Sequence, residues 1–146
     1  MKKYIYLIVT IAFFSCNPGK GFTEIDQAEF ERMAQNWQNS YIQGSVNLNE
    51  ILSGLDNNIT MWENGKIWTY QEVEKFGPHL PKKKIIETYS DQKLLDINLG
   101  YDYVSQKYIS TISGDTMRET SSRIWELKNG NWKIIRMNNL IKKEFN

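Results

Sequence analysis

The strongest constraint on the fold is a set of three long strand-like segments near the end of the chain, joined by very short turns. The segments span residues 101–113, 116–128 and 131–141, and the turns between them are Gly114-Asp115 and Asn129-Gly130. Two-residue turns of this composition join neighbouring antiparallel strands. The C-terminal part of the chain is therefore predicted to form an antiparallel meander.

Earlier segments add strands to this sheet. Residues 83–89 form one strand-like run, and residues 93–99 continue it after a break near Asp91. Residues 57–70 hold two β-prone runs on either side of Asn64-Gly65, which is a strong indication of a hairpin. The run of lysines over residues 82–84 is interpreted as a solvated strand start, because three charges are too few for a nucleic-acid or anionic-lipid site.

Three helices are predicted before the sheet. Each opens with a capping pair: Thr23 with Asp26, Asn47 with Glu50, and Thr69 with Glu72. The apolar residues of the first helix fall three or four positions apart on one face: Phe30, Met33, Ala34, Trp37 and Tyr41. Gly44 is predicted to end the first helix, and Gly77-Pro78 to end the third.

Helices grouped before an antiparallel sheet indicate the α+β class. Each helix is apolar on one side only, so that side must pack against the sheet. We therefore expect a cone-shaped, strongly curved antiparallel sheet with the three N-terminal helices on its concave face and an opening at one end.

Composition excludes several classes of protein. The chain has 146 residues, a formal net charge of +1, one Cys and one His. This length fits one domain. A single Cys excludes an internal disulfide, and together with a single His it excludes the common zinc frameworks, so we expect neither a metal nor a cofactor. The near-zero net charge, without a basic stripe, argues against nucleic acid as a partner.

The N-terminus has the pattern of a targeting segment. Lys2 and Lys3 precede an apolar stretch over residues 4–14 that is too short to span a membrane. Ser15 and Cys16 follow at once, an arrangement that resembles a bacterial lipoprotein signal, whose Cys becomes the lipidated first residue. We expect a signal peptide over residues 1–15, acylation of Cys16 (palmitate included), a tether over residues 16–22 and a folded domain over residues 23–146. An ordinary cleaved signal followed by a free or buried Cys is the alternative.

Lipidation of Cys16 implies a place in the bacterial cell envelope, with membrane lipid as the partner of the anchor. No acidic run of the kind that some surface-exported lipoproteins carry follows Cys16. The periplasmic side of the outer membrane is therefore favoured over the cell surface.

Two C-terminal segments carry a resemblance to a known family. Residues 122–126 (SRIWE) and 129–135 (NGNWKII) match the penultimate strand, the tight Gly turn and the Trp-x-Ile last strand of the nuclear transport factor 2-like superfamily. The chain is most similar there to SnoaL-like and DUF4440-type domains and to the association domain of calcium/calmodulin-dependent kinase II. The resemblance covers about residues 23–141 and implies the cone-shaped fold, whereas functions within this superfamily differ widely.

Arg123 and Trp125 share one face of a strand, because Ile124 lies between them. The resemblance implies that this face points into the cone, where the related association domain has its pocket arginine, so Arg123 and Trp125 are both candidate ligand contacts. A buried guanidinium needs an acceptor. We therefore expect Arg123 either to contact an anionic ligand or to form an internal ion pair, for which Glu119 on the same face is the candidate.

Arg136 and Asn138 alternate with Trp132 and Ile134 on the last strand and take positions where relatives carry polar pocket residues. We predict that both line the pocket; an exposed strand end is the alternative. His79 is the one side chain that titrates near neutrality, and it lies between two prolines. It is a weak candidate for a catalytic base, and an ordinary surface His is the alternative.

Aromatic side chains complete the predicted pocket. Tyr41 on the first helix, Trp62 and Trp68 on the hairpin, and Tyr108 on a central strand are candidate ligand contacts. Trp62 and Trp68 would form the lip of the pocket. Packing in the core is the alternative for all four.

The function that these residues favour is non-catalytic binding of a small anionic or aromatic molecule. The resemblance implies that isomerases of this fold use an acid aimed into the cone with a Tyr partner, and no such pair can be assigned here. Two alternatives stay open. One is a homodimeric partner-binding or scaffold domain that pairs through the outer face of the sheet, and the other is a SnoaL-like isomerase, dehydratase or cyclase.

Overall fold

The computed structural model describes residues 21–42, 48–79 and 83–144. Within these ranges the order of helices and strands is α1 Glu24–Ile42, α2 Leu48–Gly54, β1 Leu55–Glu63, β2 Lys66–Trp68, α3 Tyr70–Phe76, β3 Lys83–Asp96, β4 Leu99–Ser110, β5 Thr116–Lys128 and β6 Asn131–Lys143. A short 3-10 helix, Gly77–His79, follows α3. The predicted α+β class is confirmed.

The described strands form one open, curved sheet in the order β2-β1-β6-β5-β4-β3. The strands from β3 to β6 pair antiparallel, which confirms the predicted meander. β1 pairs with β6 in parallel, so the sheet is mixed and the prediction of a wholly antiparallel sheet is wrong. Parallel neighbours need a long crossover, and α3 with four other strands lies between β1 and β6 along the chain.

Two hairpin turns have the backbone conformation that their sequence predicts. Asn64 and Gly65 have φ angles of 48° and 85°, and Asn129 and Gly130 have φ angles of 52° and 76°. Asn and Gly tolerate this left-handed region, which matches the twist of the flanking strands. The turns therefore fix the register of β1 against β2 and of β5 against β6.

Capping boxes begin α1 and α3, as predicted. The Thr23 backbone N–H donates to the Asp26 carboxylate at 2.7 Å, and the Asp26 N–H donates to the Thr23 hydroxyl at 3.2 Å. Thr69 and Glu72 make the same reciprocal pair ahead of α3. Each box satisfies N–H groups that the first helical turn leaves without partners.

The core lies between the helices and the concave face of the sheet. Phe30, Ala34 and Trp37 on α1 are buried against Trp125 and Ile134, and the rings of Phe30 and Trp125 meet edge to face at 6.3 Å between centroids. The close approach of α1 requires a glycine on β4. A Cβ at Gly100 would lie 2.3 Å from the Phe30 ring.

β3 is one continuous strand, so the predicted break near Asp91 is wrong. Asp91 pairs with Tyr103 in the ladder. The pairing with β4 instead skips Ile86 and Leu95, and both side chains are exposed. Bulges of this kind bend a strand without ending it, which explains the curvature of β3.

A bulge also interrupts the pairing of β5 with β6. Trp125 pairs with Ile134 and Ile124 pairs with Arg136, so Ile135 has no partner across the ladder. One extra residue exchanges the faces of all side chains that follow it. Beyond Ile135 the buried residues of β6 are therefore Met137 and Asn139.

The predicted signal peptide, Cys16 and residues 17–20 of the predicted tether lie outside the described residues, as do Gly44 and Asn47, the predicted end of α1 and start of α2. Within the described ranges, no helix combines the length and apolar character that crossing a bilayer requires.

Candidate functional site

A cavity opens on the concave face of the sheet, where α1, α2 and α3 meet β1 and β6. We call it the mouth cavity. It encloses about 490 Å³ of space, its opening included. Its lining is mostly apolar: Trp37, Tyr41, Ile51, Leu55, Met61, Glu63, Trp68, Val73, Phe76, Gly77, Met137 and Asn139. The exposed side chain of Phe76, packed edge to face on Trp68 at 5.8 Å, marks the opening.

A second, smaller space lies deeper in the cone, and we call it the inner chamber. It has a volume of about 230 Å³, the open space at its edge included, and a more polar lining: Trp37, Gln38, Tyr41, Val104, Gln106, Glu119, Ser121, Arg123 and Met137. Trp37, Tyr41 and Met137 line both spaces. These three side chains therefore form the boundary between an apolar outer space and a polar inner one.

Arg123 is held in the wall of the inner chamber by an ion pair. Its side chain is 1% exposed, and its Nε and Nη2 donate to the two carboxylate oxygens of Asp102, each at 2.7 Å. Its Nη1 donates to Gln38 Oε1 at 2.5 Å. The guanidinium also lies 4.8 Å from the Trp37 ring centroid, a cation–π distance. The positive charge of Arg123 is therefore neutralised inside the protein.

Burial raises the pKa of the Asp102 carboxyl above its usual range, and the Arg123 charge together with the hydrogen bonds that Arg123 donates opposes that rise. A two-pronged guanidinium–carboxylate contact favours the charged form of both partners. Two roles were expected for Arg123, contact with an anionic ligand or an internal ion pair. The structure shows the ion pair and identifies the partner of Arg123 in it. That partner is Asp102 on β4 and not the predicted Glu119.

Glu119 pairs instead with Lys83, and both side chains are buried. Lys83 Nζ also donates to the Tyr41 hydroxyl at 3.1 Å and lies 5.1 Å from the Tyr108 ring centroid. The interpretation of the lysine run as solvated is therefore wrong for Lys83, although Lys84 is exposed. The carboxylate of Glu119 and the ring of Tyr41 supply the partners that a buried ammonium needs.

This cluster shifts the acidity of its members. Burial raises the pKa of Tyr41 to about 12; the Glu119 charge adds to the rise, and Lys83 opposes it. Burial lowers the pKa of Lys83, but Tyr41 and Glu119 outweigh that effect and hold it above its usual range. Burial also raises the pKa of Tyr108. Near neutral pH, Tyr41 is therefore a neutral hydroxyl and Lys83 a cation.

Three buried polar atoms of residues that line the two spaces lack a hydrogen-bond partner among the described residues. They are Nε2 of Gln106 and Oγ of Ser121, both in the inner chamber, and Oδ1 of Asn139 in the mouth cavity. Arg123 also has two further N–H groups, because its three hydrogen bonds use three of the five N–H groups of a guanidinium. Unsatisfied buried polar groups are costly, so they mark a place where a small polar group would be stabilised.

The structure brings five predicted site residues into the interior. Tyr41 lines both spaces, Trp68 lines the mouth cavity, and Arg123 lines the inner chamber. Tyr108 is buried beside Lys83. Trp125 is completely buried in the core against Phe30 and Trp37.

The other four predicted site residues lie elsewhere. Arg136 and Asn138 are exposed on the opposite face of β6, because the bulge at Ile135 reverses the alternation that the sequence suggests. Trp62 pairs with Ile67 and is 45% exposed on that same outer face. His79 is exposed in the 3-10 helix and is absent from the linings of both spaces.

Sequence reasoning missed Asp102, Gln106, Ser121 and Lys83. Asp102 and Gln106 flank Val104 at alternate positions of β4, and Ser121 precedes Arg123 by two on β5. Once the inward face is known, alternation places Asp102, Gln106 and Ser121 on it, whereas no such signal marks Lys83. No group of three or more His, Cys, Asp or Glu side chains in the described ranges is arranged to hold a metal ion.

Comparisons with known proteins place this architecture among solved structures. No family model matches the chain, and no match is found among curated proteins. A nuclear transport factor 2-like protein from Cytophaga hutchinsonii superposes with a TM-score of 0.64 at 10% identity, over 82% of this chain and 98% of that one. A putative calcium/calmodulin-dependent kinase II association domain from Xanthomonas campestris gives 0.61 at 15% identity, over 80% and 88%. A ketosteroid isomerase-like protein from Erwinia carotovora atroseptica gives 0.61 at 9% identity, over 86% and 100%.

The structural similarity establishes the fold, whereas sequence identities this low leave the activity open. The chain has the nuclear transport factor 2-like fold, which confirms the fold implied by residues 122–126 and 129–135.

Proposed function

We propose that this domain is a non-catalytic binding module for a small, largely apolar, neutral molecule that occupies the mouth cavity. The observation that carries the proposal is the cavity itself. A concave space with an apolar and aromatic lining and a few converging polar groups is the usual form of a small-molecule site. Trp37, Tyr41 and Trp68 would supply the aromatic contacts, and Asn139 the polar one.

The proposed ligand is neutral because the buried cations already have partners. Arg123 is paired with Asp102 and Lys83 with Glu119. Moving an anion into this interior would desolvate a charge without a free counter-charge, which is unfavourable. Of the two ligand classes expected from the sequence, the aromatic one therefore fits this interior better than the anionic one.

The experiment uses indane, an uncharged hydrocarbon, as the probe. In a ¹H–¹⁵N spectrum of the domain, indane is expected to shift the indole N–H signals of Trp37 and Trp68. Met61→Trp places a bulky ring on the cavity side of β1 and should abolish the shifts, whereas Ile67→Trp places the same ring on the outer face and should preserve them. The proposal fails if neither indane nor its ketone 1-indanone shifts any indole signal.

A second candidate function is proton transfer of the isomerase kind. Glu63 lines the mouth cavity, and its carboxylate accepts a hydrogen bond from Asn139 Nδ2 at 3.4 Å. Proteins of the same fold include a ketosteroid isomerase-like protein and a hexachlorocyclohexane dehydrochlorinase. A carboxylate at a suitable position can act as a general base.

Deuterium exchange separates this candidate from simple binding. If Glu63 removes a proton beside the carbonyl of 1-indanone in D₂O, the enolate takes up deuterium, and Glu63→Gln abolishes the exchange. The binding proposal predicts exchange no faster than in buffer alone. Faster exchange that depends on Glu63 would establish the catalytic alternative.

We also propose that Cys16 anchors the domain in the bacterial cell envelope, on the periplasmic side of the outer membrane. The support is the pattern of residues 1–16. The full chain should incorporate labelled palmitate and should be recovered with the membrane fraction. The Cys16→Ser variant should neither incorporate the label nor be recovered with membranes. Equal labelling of the two chains would contradict the anchor.

A further inference from the structure

The inner chamber is unusual because its charges are balanced while some of its neutral groups are not. Gln106 is 2% exposed and Ser121 is 6% exposed, and Nε2 of the first and Oγ of the second have no partner among the described residues. Both residues lie on the same two strands as the Arg123–Asp102 ion pair. In the register of β4 against β5, Asp102 lies opposite Arg123 and Gln106 lies opposite Glu119. The chamber therefore holds a set of buried groups that still need hydrogen bonds.

Most of these free groups are donors. The amide nitrogen of Gln106 carries two N–H bonds, the Ser121 hydroxyl carries one O–H, and the Arg123 guanidinium keeps two N–H bonds beyond those it gives to Asp102 and Gln38. The complementary ligand group is an acceptor oxygen. A carboxylate would fit the donors, but Glu119 also lines the chamber, and an unpaired second anion there would be repelled.

Size and position define how such a group would enter. The inner chamber is smaller than the mouth cavity and has room for roughly one water-sized group, and Trp37, Tyr41 and Met137 border both spaces. Only the end of a molecule bound in the mouth cavity would reach it. Tyr41 already accepts a hydrogen bond from Lys83, so its hydroxyl proton is a further donor at this boundary.

We propose that the inner chamber is a subsite for a neutral carbonyl oxygen at the tip of a ligand whose apolar body fills the mouth cavity. This inference rests on the proposed binding function and adds the chemical class of the ligand: an uncharged, mainly apolar carbonyl compound. Gln106 and Ser121 are the residues that select it, and Arg123 reinforces them. A hydrocarbon of the same shape would bind and leave these donors unsatisfied.

The test compares 1-indanone with indane and with indane-1-carboxylate, with dissociation constants taken from the shifts of the indole N–H signals. In the wild-type domain, 1-indanone should bind about tenfold more tightly than indane, the effect of roughly one net hydrogen bond. The carboxylate should bind more weakly than 1-indanone.

Ser121→Ala and Gln106→Leu should each bring the ratio of the two dissociation constants towards one, mainly by weakening the binding of 1-indanone. Ser122→Ala is the matched control, since Ser122 is the next residue on β5 and lies on the opposite face; it should leave the ratio unchanged. Ser121→Ala removes one hydroxyl oxygen that has no hydrogen-bond partner among the described residues, so it decides the matter if Gln106→Leu does not fold.

The outcomes separate the two proposals. Equal binding of indane and 1-indanone by the wild type would overturn the carbonyl subsite and leave the binding function intact. A ratio that Ser121→Ala leaves unchanged would overturn the assigned residues. Tightest binding by the carboxylate would overturn the neutral class. No shift with indane or 1-indanone would overturn the binding function itself.

Discussion

At the scale of single residues, the interior of this cone holds its charges in pairs. Arg123 with Asp102 and Lys83 with Glu119 are both buried, whereas pairs such as Lys143 with Asp115 lie at the surface. Buried ion pairs cost desolvation that their attraction offsets only when the geometry is good. When a substitution removes one partner of such a buried pair, the other partner is left as an unpaired charge inside the protein.

Asp102→Asn tests this dependence. The substitution keeps the size of the side chain but leaves the Arg123 guanidinium without its counter-charge, so the free energy of unfolding should fall by about 3–5 kcal/mol. Urea unfolding followed by tryptophan fluorescence measures the change. Asp115→Asn, which removes one partner of the exposed pair with Lys143, should have little effect. Equal effects of the two substitutions would show that burial does not govern the cost.

The raised pKa of Tyr41 makes stability depend on pH in the alkaline range. Its pKa is about 12 in the folded protein against 10.0 for a free side chain, so the folded state keeps a proton that the unfolded state releases. The contribution is complete below pH 10 and is lost as the pH rises towards 12. Lys83, whose pKa is also raised, acts with the same sign.

The free energy of unfolding should therefore fall between pH 10 and pH 12, and Tyr41→Phe should make the fall shallower. Urea unfolding at a series of pH values measures the slope. Tyr89→Phe serves as the control, because Tyr89 is exposed. The same slope for both variants would mean that Tyr41 does not carry the effect.

At the scale of secondary-structure elements, local sequence predicted what local interactions determine. The turns at Asn64-Gly65 and Asn129-Gly130 and the capping box of Thr69 have their predicted conformations, because backbone preferences within a few residues decide them. The bulge at Ile135 was not predictable, since nothing in its own sequence marks it and it is set by pairing with β5. For this reason the alternation that placed Arg136 and Asn138 in the pocket fails there.

The residues of the candidate site, too, were predictable only where local sequence determines their position. Alternation predicted that Arg123 and Trp125 share a face, and the family resemblance implied that this face points inward, but the partner of Arg123, Asp102, lies on another strand, 21 residues earlier. Finding such a partner requires the register of β4 against β5, and a single sequence does not contain that register explicitly. Lys83 was misassigned because a run of three lysines gives no information on which one is buried.

Adjacent substitutions on β6 test the reversed alternation. Met137 lies on the concave side and lines both spaces, so Met137→Ala should lower the free energy of unfolding by about 2–5 kcal/mol through lost contacts and an enlarged cavity. Asn138 is exposed, so Asn138→Ala should change it by less than about 0.5 kcal/mol. Urea unfolding compares the two. A larger loss for Asn138→Ala would contradict the bulge at Ile135.

At the scale of the whole molecule, the two faces of the sheet differ in what covers them. The helices cover the concave face, while the outer face keeps apolar and aromatic side chains exposed, among them Trp62, Ile67, Tyr89 and Leu140. Ile124, at the centre of that face, lies between Tyr101 on β4 and Arg136 on β6. Exposed apolar side chains on one face favour association, and we propose that two copies pair through it, as the sequence led us to expect.

Light scattering of the chain without residues 1–15 tests this pairing. The expected mass is that of a dimer, since an interface of roughly 800 Å² per partner is typical of stable complexes and the outer face spans four long strands. Ile124→Lys puts a charge in the middle of the face and should give monomers, because a buried unpaired ammonium opposes association. Ile112→Lys makes the same change in the loop between β4 and β5, at a side chain that is 79% exposed, and should remain a dimer. A monomer of the unsubstituted chain across the concentration range, or an Ile124→Lys variant that still pairs, would rule out this face as the interface.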